Sequence, residues 1–292
     1  MKAAAFSYAR PKRLAEVLQL LAEHGDEARL LAGGQTLLAT LNMRLSEPAL
    51  LIDLQSVAEL KGLSLHGNCL RIGALVTHTQ IEDSALVALH APLLCAAAPH
   101  IAHRAIRNLG TFGGAIAYGD PAAEWPACLL ALGGVVVVRN LITERRIAAD
   151  DFFTGLYTTA LAADEMIVAC EIPVALATQK FSFTELARRH GDYAIVGLAV
   201  AAMVQSGTVE QIRLAWLGIG STPVRSMQAE QILQGQALTQ ASIDQAVDAL
   251  RKELDPIADL THSEATKRQL SCVLLKRALQ GWLLPEALAK SI

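Results

Sequence analysis

Apolar positions along this chain change their period several times, and each change marks an element. Leu14, Val17, Leu18 and Leu21 recur at helical spacing, with Pro11 where a first helical turn tolerates it and Gly25 as the stop. Residues 29–32 then read as a strand and 35–45 as a helix that opens directly after Gly33-Gly34. Residues 50–54 read as another short strand past Pro48. With an extended segment ending at Arg10, the first fifty residues read β-α-β-α-β. Residues 69–75 predict a strand entered from the Gly67-Asn68 turn, and Thr77 an N-cap for a short polar helix over 79–83. An alanine-rich helix is expected over 92–103. Residues 122–132 are apolar all round, as in a buried helix, and Val135–Arg139 is a β-branched run suited to a strand covered on both faces. Residues 166–172 form a last strand closed by Pro173.

Between Ala175 and Lys180 the pattern shifts. Residues 181–188, 194–205 and 209–217 read as three strands joined by Gly191-Asp192 and Ser206-Gly207, an antiparallel meander. Residues 227–233, 242–254 and 263–283 return to helical periodicity. Strands followed by helices make an α+β layer, so the chain divides into residues 1–176 and a smaller α+β domain over 177–292. At 292 residues, 52 % hydrophobic and 18 % charged, it is long and apolar enough for two cores. A net charge of −3 without long single-sign runs gives no reason to expect nucleic acid or an anionic membrane as partner. Cys69, Cys95, Cys128, Cys170 and Cys272 are widely spaced without a Cys-x-x-Cys, which argues for buried thiols over disulfides, iron–sulfur clusters or structural zinc. No apolar run approaches the ~20 residues of a membrane span, and the N-terminal residues lack a signal-peptide core, so the expected compartment is the cytoplasm.

The candidate chemistry lies in two glycine turns. One is Leu30-Leu31-Ala32-Gly33-Gly34-Gln35-Thr36-Leu37, and the other Gly110-Thr111-Phe112-Gly113-Gly114-Ala115. Glycine lets backbone N–H groups approach a phosphate with no Cβ in the way, and a helix opening at Gln35 would add its positive end. Gly33-Gly34 lacks the Rossmann spacing, and no Walker lysine follows either turn. One such turn is an even choice between a tight bend and a ligand loop; two suggest a dinucleotide held between them. His78, His100, His103 and His190 have no metal-ligand spacing and read as surface or satisfied histidines. Asp150-Asp151 reads as a turn, and no nucleophile–base pair is present.

Taken together, Leu-Ala-Gly-Gly-Gln-Thr-Leu-Leu at 31–38, Ile-Arg-Asn-Leu-Gly-Thr-Phe-Gly-Gly at 106–114, Asp-Pro-Ala-Ala-Glu at 120–124 and Arg-Arg-His-Gly-Asp-Tyr-Ala at 188–194 resemble the FAD-binding medium subunit of molybdenum hydroxylases. That family includes carbon monoxide dehydrogenase, xanthine dehydrogenase and quinoline oxidoreductase, and the resemblance runs over nearly the whole chain. It implies a PCMH-type FAD-binding domain of two α/β subdomains and a smaller C-terminal α+β domain. It implies that Leu31, Ala32, Gly33, Gly34, Gln35, Thr36 and Leu37, with Gly110, Thr111, Gly113, Gly114 and Ala117, wrap the FAD pyrophosphate and ribityl chain. Ile101, Ala102 and Ile106 would line the adenosine side, Met166 and Ile167 would pack on the cofactor, and Tyr193 would lie near the isoalloxazine. Glu124 would accept a hydrogen bond from a flavin or ribityl hydroxyl; a buried acid beside Trp125 is costly without a donor.

The resemblance further implies a small subunit with two-iron, two-sulfur clusters and a large subunit with the molybdenum–pterin cofactor, in a dimer of heterotrimers. Substrate would be oxidised on the large subunit, with electrons passing through this chain to an external acceptor. Two departures stand out: Glu185 occupies a strand where some members carry a lysine near the flavin, and Leu109 stands where arginine is commoner. The residues alone leave two other readings open, a self-contained FAD oxidase or a non-redox nucleotide-binding module.

Overall fold

The computed structural model describes residues 2–283. Its first sheet is parallel and three-stranded, with Leu50–Asp53 between Ser7–Ala9 and Ala28–Leu31. Every residue of the central strand is buried, as a continuous Leu-Leu-Ile run requires. The helix Leu14–His24 turns Val17, Leu18 and Leu21 into the core, and Gly25, at φ 47°, ends it. The β-α-β-α-β order expected for this region is the one observed.

The second sheet is antiparallel, in the order Leu63–His66, Cys69–Gly73, Met166–Pro173, Val135–Arg139, Glu144–Ala148. Its middle strand is therefore the last to arrive along the chain, and Met166–Cys170 is buried throughout. A third sheet, Gln179–Leu186, Val196–Gln205, Thr208–Leu217 and Val224–Arg225, is the expected meander with one short strand added. The helices Met227–Leu233, Gln240–Glu253 and Glu264–Gln280 follow it.

Alternation along Val196–Gln205 explains how the halves join. Leu198 and Val200 enter one apolar cluster with Ile243, Leu250 and Leu275 of the following helices. Ala199, with Ala215 and Leu217 of the neighbouring strand, enters the other cluster, which holds the first two sheets. Small alanines on that face let the helix Glu124–Ala131 lie close against the sheet, and all eight of its residues are buried. Polar clamps tie the same seam. Arg213 donates to the Leu130 carbonyl at 2.8 Å and to Asp150 at 2.6 Å, while Arg225 donates to Asp150 at 2.9 Å and also pairs with Glu230.

Several sequence expectations are corrected. The first helix begins at Leu14, capped by Arg13 and Glu16, so Pro11 lies outside it. The helix after Gly33-Gly34 spans only Leu37–Asn42, with Gln35-Thr36 in the turn. No continuous helix fills 92–103: Pro92–Ala97 passes into the 3-10 turn Ala98–His100, where Pro99 offers no N–H, and Ala102 adopts φ 41°. Asp150-Asp151 sits in the one-turn helix Ala149–Phe152 and serves as an anchor for two arginines rather than as a plain turn.

Asp150 is partly exposed, so its two ion pairs are screened. Asp150→Ala should cost roughly 1 kcal/mol, read as a lower urea midpoint with an unchanged slope.

Candidate functional site

The parallel sheet and the five-stranded sheet meet at a cleft of about 530 Å³. The two glycine turns border it, and close contacts require their glycines: Gly33 by the approach of the other turn, Gly113 and Gly114 by neighbours of their own. A β-carbon on Gly33 would lie 2.2 Å from the Leu109 carbonyl oxygen and 2.8 Å from Gly110 Cα. One on Gly113 would lie 2.6 Å from Ala74 Cα, and one on Gly114 2.7 Å from Thr111 Oγ1. The second turn is bonded to the chain leaving Cys69–Gly73: Gly113 N donates to Ala74 O at 3.0 Å, Phe112 N to Val76 O at 2.9 Å, and His78 N to Gly110 O at 3.0 Å. Thr111 then caps the helix Phe112–Tyr118 by accepting from Gly114 N. Thr77 caps the helix His78–Glu82, as its sequence position predicts.

Gly34 adopts φ 73°, which glycine tolerates without strain. Because the next helix waits until Leu37, no described residue accepts from the N–H groups of Gly33, Gly34, Gln35 or Thr36. Four unsatisfied donors on one short turn make a cradle for an anion. The fit with a dinucleotide's pyrophosphate rests on these donors and not on a helix dipole, since Leu37–Asn42 is only six residues long.

Of the residues expected to hold the cofactor, Ala32, Gly33, Gly34, Gln35, Thr36 and Leu37 border the cleft from one side. Gly110, Thr111, Gly113, Gly114 and Ala117 border it from the other, with Ile101, Ala102 and Ile106 on the adjoining wall. Met166 and Ile167 supply an apolar wall, and Glu124 and Tyr193 also face the space. Leu31 does not: it packs beneath the turn, where its Cδ1 would meet a Gly34 β-carbon at 3.1 Å, and Leu30 faces the cleft instead. Tyr193 is 69 % exposed, so it stands at the mouth.

Glu124 is buried at the start of its helix, and no described side chain or backbone group outside its own residue hydrogen-bonds to its carboxyl. Burial, then the carboxylates of Glu185 and Asp120, push its pKa up to about 8. A pKa raised in this way favours the protonated carboxyl, which can donate through its O–H as well as accept through its carbonyl oxygen. Glu185 has its own unmet need: Oε2 is buried without a partner among the described residues, while His100 Nδ1 lies 3.4 Å from Oε1.

Sequence reasoning missed His78, Trp125 and Asp120 in this cleft. Trp125 Nε1 donates to His78 Nδ1 at 2.9 Å, and burial together with the nearby Arg107 guanidinium lowers the His78 pKa to about 4. Asp120 accepts from Ala122 N at 2.9 Å, and burial raises its pKa. The usable signal for His78 was its place immediately after the Thr77 cap, which fixes it on the first turn of a short helix facing the second glycine turn.

Comparison with known proteins matches two family models in succession. The FAD binding domain in molybdopterin dehydrogenase matches residues 4–175, and the CO dehydrogenase flavoprotein C-terminal domain matches residues 181–281. The nicotine 6-hydroxylase medium subunit of Paenarthrobacter nicotinovorans is 39 % identical over 279 residues, covering 96 % of this chain and 98 % of the relative. The carbon monoxide dehydrogenase medium chain of Hydrogenophaga pseudoflava is 34 % identical over 94 % of this chain and 96 % of its own. The solved carbon monoxide dehydrogenase from Hydrogenophaga pseudoflava superposes with a TM-score of 0.93 at 35 % identity, over 96 % of this chain and 98 % of that one. Quinoline 2-oxidoreductase from Pseudomonas putida 86 superposes at 0.91, also at 35 % identity, over 96 % and 99 %. From the glycine turns through the C-terminal helices, the chain belongs to the family of FAD-binding medium subunits of the molybdopterin-dependent dehydrogenases, the molybdenum hydroxylases.

Proposed function

We propose that this cleft holds FAD with its pyrophosphate across the two glycine turns and its flavin toward Glu124, Met166, Ile167 and Tyr193. The observation that carries the reading is the row of N–H groups from Gly33 to Thr36 without acceptors among the described residues, on a turn that lines the same cleft as the second glycine turn. Ile101, Ala102 and Ile106 then serve the adenosine side. Bound FAD supplies electron exchange; the chain's residues bind it, orient it, exclude water and hold a proton at Glu124. We further infer that the chain works as an electron-transfer subunit, fed by a small iron–sulfur subunit and passing electrons to an external acceptor. Substrate is oxidised on a large molybdenum–pterin subunit, and the heterotrimers pair. The relatives' names as medium subunit and medium chain support that assembly. The division into residues 1–176 for FAD and 177–292 for the C-terminal domain is supported by the two family models, which give way to one another between residues 175 and 181. Five free thiols suit a reducing compartment such as the cytoplasm.

Purification of the full chain tests the reading. A yellow protein should release one intact FAD per chain on denaturation and co-purify from its native host with a cysteine-rich small subunit and a large third subunit. Rapid oxidation of an organic substrate by the isolated chain would overturn the subunit role.

Gly33→Ala should force the two turns apart. The expected outcome is loss of stoichiometric FAD together with a stability loss of roughly 1–3 kcal/mol. Gly62→Ala, whose added carbon meets nothing within 4 Å, is the matched control and should retain FAD.

Glu124 gives a pH dependence of defined sign. Its folded pKa, about 8, lies above the usual carboxyl value of 4.5. Its contribution to apoprotein stability is therefore full below about 4.5 and lost as pH rises through about 8. FAD affinity, measured by fluorescence titration of the apoprotein, should fall over the upper part of that range as the donor proton is lost. Glu124→Gln should bind FAD at neutral pH and flatten both profiles.

A further inference from the structure

We propose that His78 is a fixed, uncharged hydrogen-bond donor to the phosphate bridge of the bound dinucleotide. The inference rests on the reading that the two glycine turns hold the FAD pyrophosphate, and it adds a ligand-binding side chain to them.

The argument begins with Trp125. An indole N–H can only donate, and Trp125 Nε1 lies 2.9 Å from His78 Nδ1, so Nδ1 is the acceptor and bears no proton. In a neutral imidazole the proton must then sit on Nε2. Both rings are buried, His78 at 6 % and Trp125 at 1 % exposure, and they pack at 5.7 Å between centroids, so neither exchanges this arrangement with water. The charged groups around the ring do not favour a second proton. The one that faces it is Arg107, whose guanidinium is held by Glu82 and by the carbonyls of Ile101 and Ala102. No carboxylate is paired with the ring.

The Nε2–H has no acceptor among the described residues, yet Nε2 is not among their enclosed, unpartnered atoms. It opens on the cleft that His78 lines. Gly110 is what keeps it open: a β-carbon there would sit 2.6 Å from Nε2 and 2.8 Å from Cδ2. The glycine thus has a second use besides the approach of the loops, which is to uncover a ring N–H beside the backbone donors. A donor-only edge facing an anion cradle recognises an acceptor-only group, and a phosphate oxygen is that group. Because the ring is neutral, it discriminates by hydrogen-bond direction and adds no charge.

Two conservative variants separate the two ring nitrogens. His78→Asn can still accept from Trp125 but cannot reach the cleft; His78→Gln places an amide N–H where Nε2 stood. FAD binding to the apoprotein of the full chain, followed by flavin fluorescence, should weaken about tenfold in His78→Asn and stay within about threefold of wild type in His78→Gln. Nitrogen-15 spectra of the wild-type apoprotein should show a neutral Nε2–H tautomer at pH 7, and the Nε2 signal should move on addition of FAD or of ADP. An Nδ1–H tautomer or an imidazolium at pH 7 overturns the proposal, as does an Nε2 signal indifferent to both ligands. If wild type binds FAD and folded His78→Asn binds it equally well, the proposal again fails while the cleft assignment stands. If wild type binds no FAD, the cleft assignment itself fails. The wild-type spectra decide the matter even where a variant does not fold.

Discussion

The contact of Gly33 with Leu109 and Gly110 is the constraint on which the site depends. It brings a turn leaving the parallel sheet against a turn bonded to the end of Cys69–Gly73 in the second sheet. The turns could not approach this closely with a side chain at position 33, because its β-carbon would fall 2.2 Å from the Leu109 carbonyl oxygen, well inside van der Waals contact. The contact also aligns the polar consequences. On the first turn the N–H groups from Gly33 to Thr36 stay unsatisfied, and on the second the threonine cap and the bonds to Ala74, Val76 and His78 hold the backbone rigid. One turn supplies free donors, and the other supplies the frame that keeps them at a fixed distance. The cost of leaving donors without partners is tolerable only at a surface that a ligand or water can reach.

The cleft is therefore rich in uncharged donors. Backbone N–H groups, the Nε2–H edge of His78 and the protonated carboxyl of Glu124 all present hydrogen to the space they border. Arg107, the nearest buried cation to His78, is already committed to Glu82 and two carbonyls. A pyrophosphate can be held this way without a lysine, since converging N–H groups act as a distributed partial positive charge. The apolar wall of Met166 and Ile167 belongs to the strand in the middle of the second sheet, so it is among the least movable parts of the cleft.

The glycine turns were legible in the sequence because glycine pairs with small polar neighbours are themselves the physical requirement. So were the buried helix at Glu124–Ala131 and the C-terminal meander, since their apolar periods are set by the surfaces that cover them. The break after Ala97 was not legible. Alanine favours helix, and the local propensity is overridden by Pro99 and by the cleft wall that Ala102 builds at φ 41°. His78 was legible only as a histidine beside a cap, because its role depends on Trp125, 47 positions away. The charge of Glu124 was illegible for the same reason: the sequence shows an acid among apolar residues, but not the second acid that faces it.

That second acid comes from the other half of the chain. Glu185 lies on Gln179–Leu186, whose partner strand packs its alanines against the helix that Glu124 begins, and Gly218 N holds Pro121 O at 2.9 Å beside them. Burial is the first cause of the raised Glu124 pKa, and the C-terminal sheet adds to it through Glu185. A cation in place of Glu185 would favour an ionised Glu124 by direct attraction. A glutamate in a buried place does the reverse, and Glu124 keeps its proton. It follows that Glu124 and Glu185 are electrostatically coupled, and that a residue of the C-terminal sheet reinforces what burial already imposes on an acid lining the cleft.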